Sequence, residues 1–179
     1  RYDGNSIKHY SCDDMTLKCK NHNISALFED MDHNIWAGTD RGIYIYNPYT
    51  ELFSFFNIKT SKGEHVSNWI SQIINDRHGN IWIIAPNQGA FKYNVRSKQM
   101  KLYQMNHEKN SYTKNAECIC VRKNGEVWIG SNGAGLFKYN PQHDSFSHVI
   151  TDRNNNSLEG MNIYAICDYG EWIAVGEHE

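Results

Sequence analysis

Long apolar runs are missing from this sequence of 179 residues. No stretch of about 18 consecutive apolar residues occurs, which excludes a membrane-spanning helix within the segment. Basic clusters are missing too, since 18 Lys and Arg are scattered among 20 Asp and Glu and the formal net charge is −2. A nucleic acid partner is therefore not indicated, because proteins that bind nucleic acid concentrate positive charge on one face.

Cysteine is sparse, and its number is odd. The five cysteines show no regular spacing, which argues against a disulfide framework. Cys118 and Cys120 stand two residues apart on a predicted strand, so they share a face and are poorly placed to bridge each other. We interpret these two and Cys167 as buried apolar side chains.

Catalytic motifs are also missing. The sequence has no nucleophile elbow, no metal-ligand spacing and no glycine-rich loop that opens a helix. Its nine histidines are dispersed singly, and no two carboxylates stand out as the pair that glycoside cleavage needs. We therefore predict no catalytic residue, no metal site and no cofactor in this segment.

The sequence does contain a repeat. The run Asn34–Pro48 (Asn-Ile-Trp-Ala-Gly-Thr-Asp-Arg-Gly-Ile-Tyr-Ile-Tyr-Asn-Pro) returns in related form at 80–94 and 126–141, with a partial copy at 171–176. Its tryptophan stands at positions 36, 82, 128 and 172, which gives a period of about 46 residues. Short strand-like segments joined by Asn, Gly and Pro turns fill each period, which indicates a propeller or array of repeated units.

We predict an all-β fold, a β-propeller of consecutive four-stranded antiparallel blades of about 46 residues. Residues 1–179 would form part of one propeller domain. Within it we predict the end of a blade at 1–22, blades at 23–68, 69–115 and 116–162, and the start of a blade at 163–179. Because both ends fall inside repeats, we expect a fragment of a larger propeller; the alternative is that the two ends together complete one blade.

The repeated tryptophans are predicted to pack between neighbouring blades. They recur at one place in the repeat, as expected when one sheet packs against the next. The competing interpretation, a sugar-stacking platform, is less favoured for them. Trp69 differs because it stands outside the repeat phase, at the end of a polar link, where its ring could face a ligand.

A ligand face is predicted from the loops. The links at 57–69, 105–116 and 151–162 and the turns between second and third strands should emerge on one side of the propeller, and loops on a rigid scaffold often bind. Polar turn side chains could hydrogen-bond sugar hydroxyls or a uronate. The candidate ligand contacts are Asp40, Arg41, Trp69, Asn87, Gln88 and Asn132.

The repeat resembles a known family. The pattern Asp-x-x-Gly-Asn-Ile-Trp-x-Gly-Thr-x-x-Gly-Leu-x-x-Tyr-Asn-Pro is similar to the two-component regulator propeller repeat. The first repeat matches it at Asp30, Asn34–Trp36, Gly38–Thr39, Gly42–Ile43 and Tyr46–Pro48. The later repeats match it at Asp76, Gly79–Trp82, Gly89, Tyr93–Asn94, Gly125, Val127–Trp128, Gly130–Ser131, Gly135–Leu136 and Tyr139–Pro141. The sequence departs from the pattern at Ile84–Ala85, at Arg122 and in the short turn Asp168–Gly170.

This resemblance implies a function. It implies a periplasmic ligand-sensing region of a hybrid two-component receptor, usually built of seven-bladed propellers, which recognises an oligosaccharide from glycan breakdown or another small molecule. The membrane helix, histidine kinase and response regulator would lie outside this non-enzymatic segment, and a homodimer would form through those parts. The alternatives are a propeller enzyme, a lyase or glycosidase acting on polysaccharide, and a propeller that mediates protein assembly.

Overall fold

The computed structural model describes residues 4–8, 23–105, 116–149 and 162–177. These ranges contain β-strands, turns and links, and none of their segments is a helix that could cross a membrane.

Within the described residues, fourteen strands form four sheets. The first sheet consists of β1 (Ile24–Glu29), β2 (Ile35–Thr39), β3 (Gly42–Asn47) and β4 (Leu52–Phe55). The second consists of β5 (Gln72–Asn75), β6 (Asn80–Ala85), β7 (Gly89–Asn94) and β8 (Gln99–Tyr103). The third consists of β9 (Ala116–Val121), β10 (Val127–Ser131), β11 (Gly135–Asn140) and β12 (Ser145–His148). The fourth holds β13 (Ile163–Tyr169) and β14 (Trp172–Glu177).

The sheets are blades of a β-propeller, which confirms the predicted all-β fold. In each sheet the strands follow chain order and neighbours run antiparallel. The first strand of each sheet contacts the first strand of the next, so these strands lie innermost. We call the four sheets blades 1 to 4. Each lies within one of the predicted ranges that start at residue 23, whereas the predicted blade end at 1–22 lies outside the described residues except for residues 4–8.

A carboxylate organises the first turn of blades 1 and 2. Asp30 accepts hydrogen bonds from the backbone N–H groups of Asp32 and Asn34, both at 2.9 Å, and from the Trp36 indole at 2.8 Å. Asp76 does the same for its own turn and for Trp82, again at 2.8 Å. The repeated Asp therefore fixes both the turn and the tryptophan.

Trp36 and Trp82 lie in the core between blades, as predicted. Trp36 is 3% exposed, and its ring centroid lies 6.1 Å from that of Tyr93 in blade 2. Trp82 is fully buried, 5.0 Å from Tyr139 of blade 3 by the same measure. Each tryptophan thus contacts the third strand of the following blade, and two hydrophobic clusters fill these two junctions.

The prediction was wrong for Trp172. This side chain is 74% exposed, and Trp172 pairs with Tyr169 across a two-residue turn. The pairing of Gly176 with Ala165 matches that of Gly38 with Ala26, so Trp172 sits two residues earlier in its strand than the other tryptophans. No blade follows this two-stranded sheet among the described residues, so Trp172 has no following blade to pack against, unlike Trp36 and Trp82.

Glycine on the second strand leaves space for an isoleucine side chain of the following blade. A Cβ on Gly38 would lie 2.8 Å from the side chain of Ile70, and a Cβ on Gly130 would lie 2.5 Å from that of Ile163. In blade 2 the pattern reverses: the second strand carries Ile84, and the following blade presents Ala116 within the same core cluster. This size exchange explains why blade 2 departs from the glycine pattern.

The cysteine prediction is correct for two residues and wrong for the third. Cys118 and Cys120 are buried on β9, and burial raises the pKa of the Cys118 thiol to about 11. Cys167 is exposed on β13. It lies on the two-stranded sheet, whose strands are largely exposed in the described structure.

Candidate functional site

The link between blades 1 and 2 lies on the same face as the turns between second and third strands. The backbone N–H of Ile70 donates to the Thr39 carbonyl at 3.1 Å, at the end of β2. A Cβ on Gly42, which begins β3, would lie 3.1 Å from the Val66 carbonyl oxygen. The predicted gathering of loops is confirmed for this link, while most of the other two links lies outside the described residues.

Gln88 holds this link in place. Its Oε1 accepts the backbone N–H groups of Ser67 at 3.1 Å and Asn68 at 3.2 Å. Its Nε2 donates to the His65 carbonyl oxygen at 3.1 Å. The structure thus gives Gln88 a positioning role, and ligand contact by Gln88 stays a prediction.

Asn132 is half-buried and hydrogen-bonds the carboxyl group of Glu117 on the innermost strand of blade 3. Burial raises the pKa of Glu117, and the bond from Asn132 opposes part of that rise. A partly buried acid therefore lies beside the third turn. The sequence analysis missed this acid because it belongs to a strand and not to a loop.

The other candidates are exposed on the loops. Asp40, Arg41 and Asn87 occupy turn tips, and Trp69 is 47% exposed at the end of the link. None of the clefts described below is lined by any of the six predicted residues. Their assignment as ligand contacts stays a prediction.

A cleft of about 490 Å³ lies between blades 1 and 2, beside their first turns. Its walls include Trp36 and Tyr93 together with the carboxylates of Asp30 and Asp76. Burial opposes ionisation of Asp30, but hydrogen bonds from Trp36 and Asn34 hold its pKa below the usual value. Both carboxylates are occupied by their own turn and by the tryptophan indole, so neither is free to donate a proton to a substrate as the acid of a glycosidase does.

A second groove, of about 680 Å³, runs along the outer part of blade 2. Four of its lining residues are lysines: Lys59, Lys92, Lys98 and Lys101. Asp144, from the last turn of blade 3, is the one acidic residue among its described lining residues. The sequence analysis missed this groove, although blade 2 could have been singled out as the blade with lysines on β7, on β8 and in the turn between them.

Asp144 joins blades 2 and 3 at this groove. Its carboxylate accepts hydrogen bonds from Lys101 and from the Tyr103 hydroxyl, both at 2.6 Å, and from Lys92 and Tyr139. Burial opposes ionisation of Asp144, but the bonds from the two lysines and two tyrosines hold its pKa well below the usual value. Tyr103 is correspondingly kept protonated, since burial and the neighbouring Asp144 raise its pKa.

Residues 20–41 match the two component regulator propeller family. Over 72 residues, 38% of the chain, the sequence is 29% identical to a protein of Formosa agariphila named histidine kinase P4. The match covers 5% of that relative, so the chain spans a small part of its length.

Solved structures share the fold. The extracellular domain described for the hybrid two component system BT3049 of B. thetaiotaomicron superposes with a TM-score of 0.69 at 15% identity, covering 88% of this chain and 22% of that one. PorZ of Porphyromonas gingivalis, a surface component of the type-IX secretion system, superposes with a TM-score of 0.68 at 16% identity, covering 99% of this chain and 27% of that one. At such identities the likeness concerns the fold alone.

Proposed function

Since this chain carries a repeat of the two component regulator propeller family, we propose that it forms part of the ligand-sensing region of a two-component signalling receptor. That region lies outside the cytoplasm, in the periplasm. The segment itself binds and does not catalyse. A histidine kinase that controls transcription, a membrane anchor and the homodimer contacts belong to other parts of the receptor.

The ligand is an oligosaccharide from glycan breakdown. The observation that carries this proposal is the loop face, where the link at 65–70 packs against two turns while Trp69 stays half exposed. An aromatic ring beside polar side chains offers stacking together with hydrogen bonds, which a sugar can use at the same time. Asp40, Arg41, Asn87 and Asn132 supply the polar groups.

Signalling follows from differential binding. A ligand shifts a receptor between two arrangements only to the extent that it binds one of them more tightly. The blades are packed through buried aromatic clusters. We therefore expect the ligand to bias how this propeller meets the neighbouring parts of the receptor, with the blades themselves unchanged.

The test is a calorimetric titration of the full-length protein with a panel of plant and host oligosaccharides, with analysis of the products. We expect saturable binding without cleavage, weakened about tenfold by Trp69→Ala. Stacking of a nucleic acid base on an aromatic side chain contributes about 1–3 kcal/mol, and we expect a sugar face on Trp69 to gain an amount within that range. Tyr49→Ala is the matched control, because Tyr49 is exposed on the turn between β3 and β4, away from the link. Cleavage of the sugars would contradict the sensor function and show that the protein is an enzyme acting on polysaccharide.

Protein assembly is the second candidate function. The same fold occurs in PorZ, a surface component of the type-IX secretion system, so the fold itself is compatible with either function. A protein that binds none of the oligosaccharides and instead forms a stable complex with another surface protein would support assembly over sensing. Binding of a sugar that Trp69→Ala weakens would argue for sensing.

A further inference from the structure

Two lysines lie directly opposite each other on the outer strands of blade 2. Lys92 of β7 is the Cα partner of Lys101 of β8. The same pair of positions holds Ile45 and Ser54 in blade 1. In blade 3 it holds Lys138 and Ser147. Like charges that face each other across strands are destabilising, so this pair requires an anion nearby.

Asp144 supplies one negative charge to this pair, and both of its carboxylate oxygens already accept hydrogen bonds. Its two carboxylate oxygens already accept from both lysines and from Tyr103 and Tyr139. Lys92 also donates to the Tyr139 hydroxyl at 2.6 Å. The Asp144 carboxylate balances one of the two ammonium charges, so positive charge remains at this end of the groove.

Lys98 adds another positive charge to the groove. It occupies the left-handed position of its turn, with φ of 55°, which Glu51 occupies in blade 1 and Asp144 in blade 3. Each of those two acids pairs with a lysine that precedes its blade: Lys8 with Glu51 at 2.8 Å, and Lys101 with Asp144 at 2.6 Å. At the junction of blades 1 and 2, Lys98 stands where the other two junctions have the acid. Ser54 stands where those junctions have the lysine that pairs with it.

Lys59 completes the groove from the link. It lies in a short hairpin in which Lys59 bridges His65, and the adjacent Thr60 bridges Met100 of β8. The side-chain ammonium groups of Lys59 and Lys98 have no hydrogen-bond or ion-pair partner among the described residues. With four lysines and one aspartate, the described lining has a net charge of +3, and Ser61, Ser97 and Gln99 add neutral donors.

We propose that the groove lined by Lys59, Lys92, Lys98 and Lys101 binds an anionic sugar unit through its carboxylate or sulfate group. The anion lies in the groove beside Lys59, Lys98 and the surplus charge of the Lys92 and Lys101 pair. Hydroxyl and amide groups of the groove meet the sugar hydroxyls. That the anion is carried by a sugar rests on the proposed function, whereas the anion site itself does not.

The site is tested with three probes on the full-length protein: trigalacturonate, sulfated galactotriose and unmodified galactotriose. We expect at least one anionic probe to bind, and the Lys59→Gln/Lys98→Gln double variant to bind it at least about tenfold more weakly, because two hydrogen bonds between charged groups are lost. Raising the salt concentration should weaken the binding as well. A preference between the two anionic probes identifies the carboxylate or the sulfate as the recognised group.

The control is Lys123→Gln, which removes the same charge from an exposed turn of blade 3. It should bind the anionic probe like the unmodified protein. Since the side chains of Lys59 and Lys98 are exposed and make no ion pair among the described residues, the double variant should unfold at the same temperature as the unmodified protein.

Two outcomes would overturn the proposal: neither anionic probe binds, or the double variant binds as tightly as the unmodified protein. The sensor function is tested by separate results. If the groove binds no anion, binding of neutral sugars that depends on Trp69 would still support the sensor function. If the receptor does not respond to sugars, anion binding that depends on the lysines would still support the anion site in the groove.

Discussion

Single side chains show how a departure from the repeat is compensated. The position held by Asp30 and Asp76 carries Arg122 in blade 3, and the acid moves to Glu126. Arg122 donates to Glu126 at 3.0 Å, and the Trp128 indole also donates to Glu126, at 3.2 Å. The tryptophan therefore keeps a carboxylate partner although the acid is supplied from another place in the turn.

Glu126 predicts how stability depends on pH. The hydrogen bond from Lys138 leads the effects that lower the pKa of Glu126 to about 2. A carboxyl whose pKa is depressed on folding stabilises the protein above its unfolded pKa of about 4.3, and this stabilisation is lost as the pH falls toward the folded pKa. We expect the unfolding temperature to decrease between about pH 4.5 and pH 2.

Glu126→Gln should reduce the slope of unfolding temperature against pH in that window, as followed by circular dichroism. Glu171→Gln, at an exposed turn, is the control and should leave the slope as it is. An identical slope in the Glu126→Gln variant would contradict the assignment. It would show that other carboxyl groups account for the whole dependence.

The second strand of each blade packs against the first strand of the following blade through side chains of complementary size. Gly38 faces Ile70 and Gly130 faces Ile163, whereas Ile84 belongs to the same cluster as Ala116. Interiors are packed at the density of crystals, so a methyl group added on one side requires space on the other. The second strand and the first strand of the following blade thus form a unit.

Gly130→Ala should destabilise the protein by about 1–3 kcal/mol, because its Cβ would lie 2.5 Å from the Ile163 side chain. Adding Ile163→Ala to the same chain should recover part of this loss, since it removes the Ile163 Cγ2 at 2.5 Å, whereas Cys118 Sγ at 2.6 Å remains. The cost measured by denaturant unfolding should therefore be smaller for Gly130→Ala in the Ile163→Ala background than in the unmodified protein.

Gly176→Ala is the matched control, since its Cβ would make an ordinary contact of 3.4 Å with Ala165. We expect a small effect there. Equal costs at Gly130 and Gly176 would show that backbone freedom, and not the space beside Ile163, determines the result.

The whole molecule depends on junctions that differ from one another. Blades 2 and 3 are joined by Asp144, and blades 3 and 4 by Arg122, which donates to Asp168 at 3.1 Å and to the Gly170 carbonyl at 2.6 Å. The junction of blades 1 and 2 contains the 490 Å³ cleft. Each junction therefore has its own stability.

Asp144→Asn should loosen the junction of blades 2 and 3 because Lys92 and Lys101 would face each other without an anion. We expect faster amide hydrogen exchange in β8 and β12 and a lower unfolding temperature. Added salt should restore part of the loss, since it screens the repulsion. Asp32→Asn, on an exposed turn of blade 1, is the control.

Salt should leave the unfolding temperature of this control nearly unchanged relative to the unmodified protein. If salt had the same effect on Asp144→Asn as on the control, repulsion between the lysines would not be the cause of the loosening.

Much of the fold could be predicted from the sequence because the repeat carries local chemistry. Asn47 and Asn140 cap their turns through their own side chains, and Trp36 and Trp82 are buried where the period places them. Trp172 was placed wrongly, because it lies two residues earlier in its strand than the other tryptophans although the local motif is kept.

The candidate site was less predictable, since loop residues were chosen for polarity and position alone. Gln88 is polar, yet its amide is occupied by the link. The lysine groove depends on which lysines share a face and on an aspartate about 50 residues away in the chain. Such a combination is visible only once the blades are packed.

The size exchange at the blade junctions also bears on how the chain avoids assembling in the wrong order. Repeat proteins are prone to misassembly, because any unit can dock where a similar unit belongs. If blade 2 docked on blade 4, Ile84 would meet Ile163 and the two side chains would collide. If blade 1 docked on blade 3, Gly38 would meet Ala116 and leave a void. The residues that make each junction fit therefore also make skipped neighbours costly, so the order of the blades is encoded in their side chains.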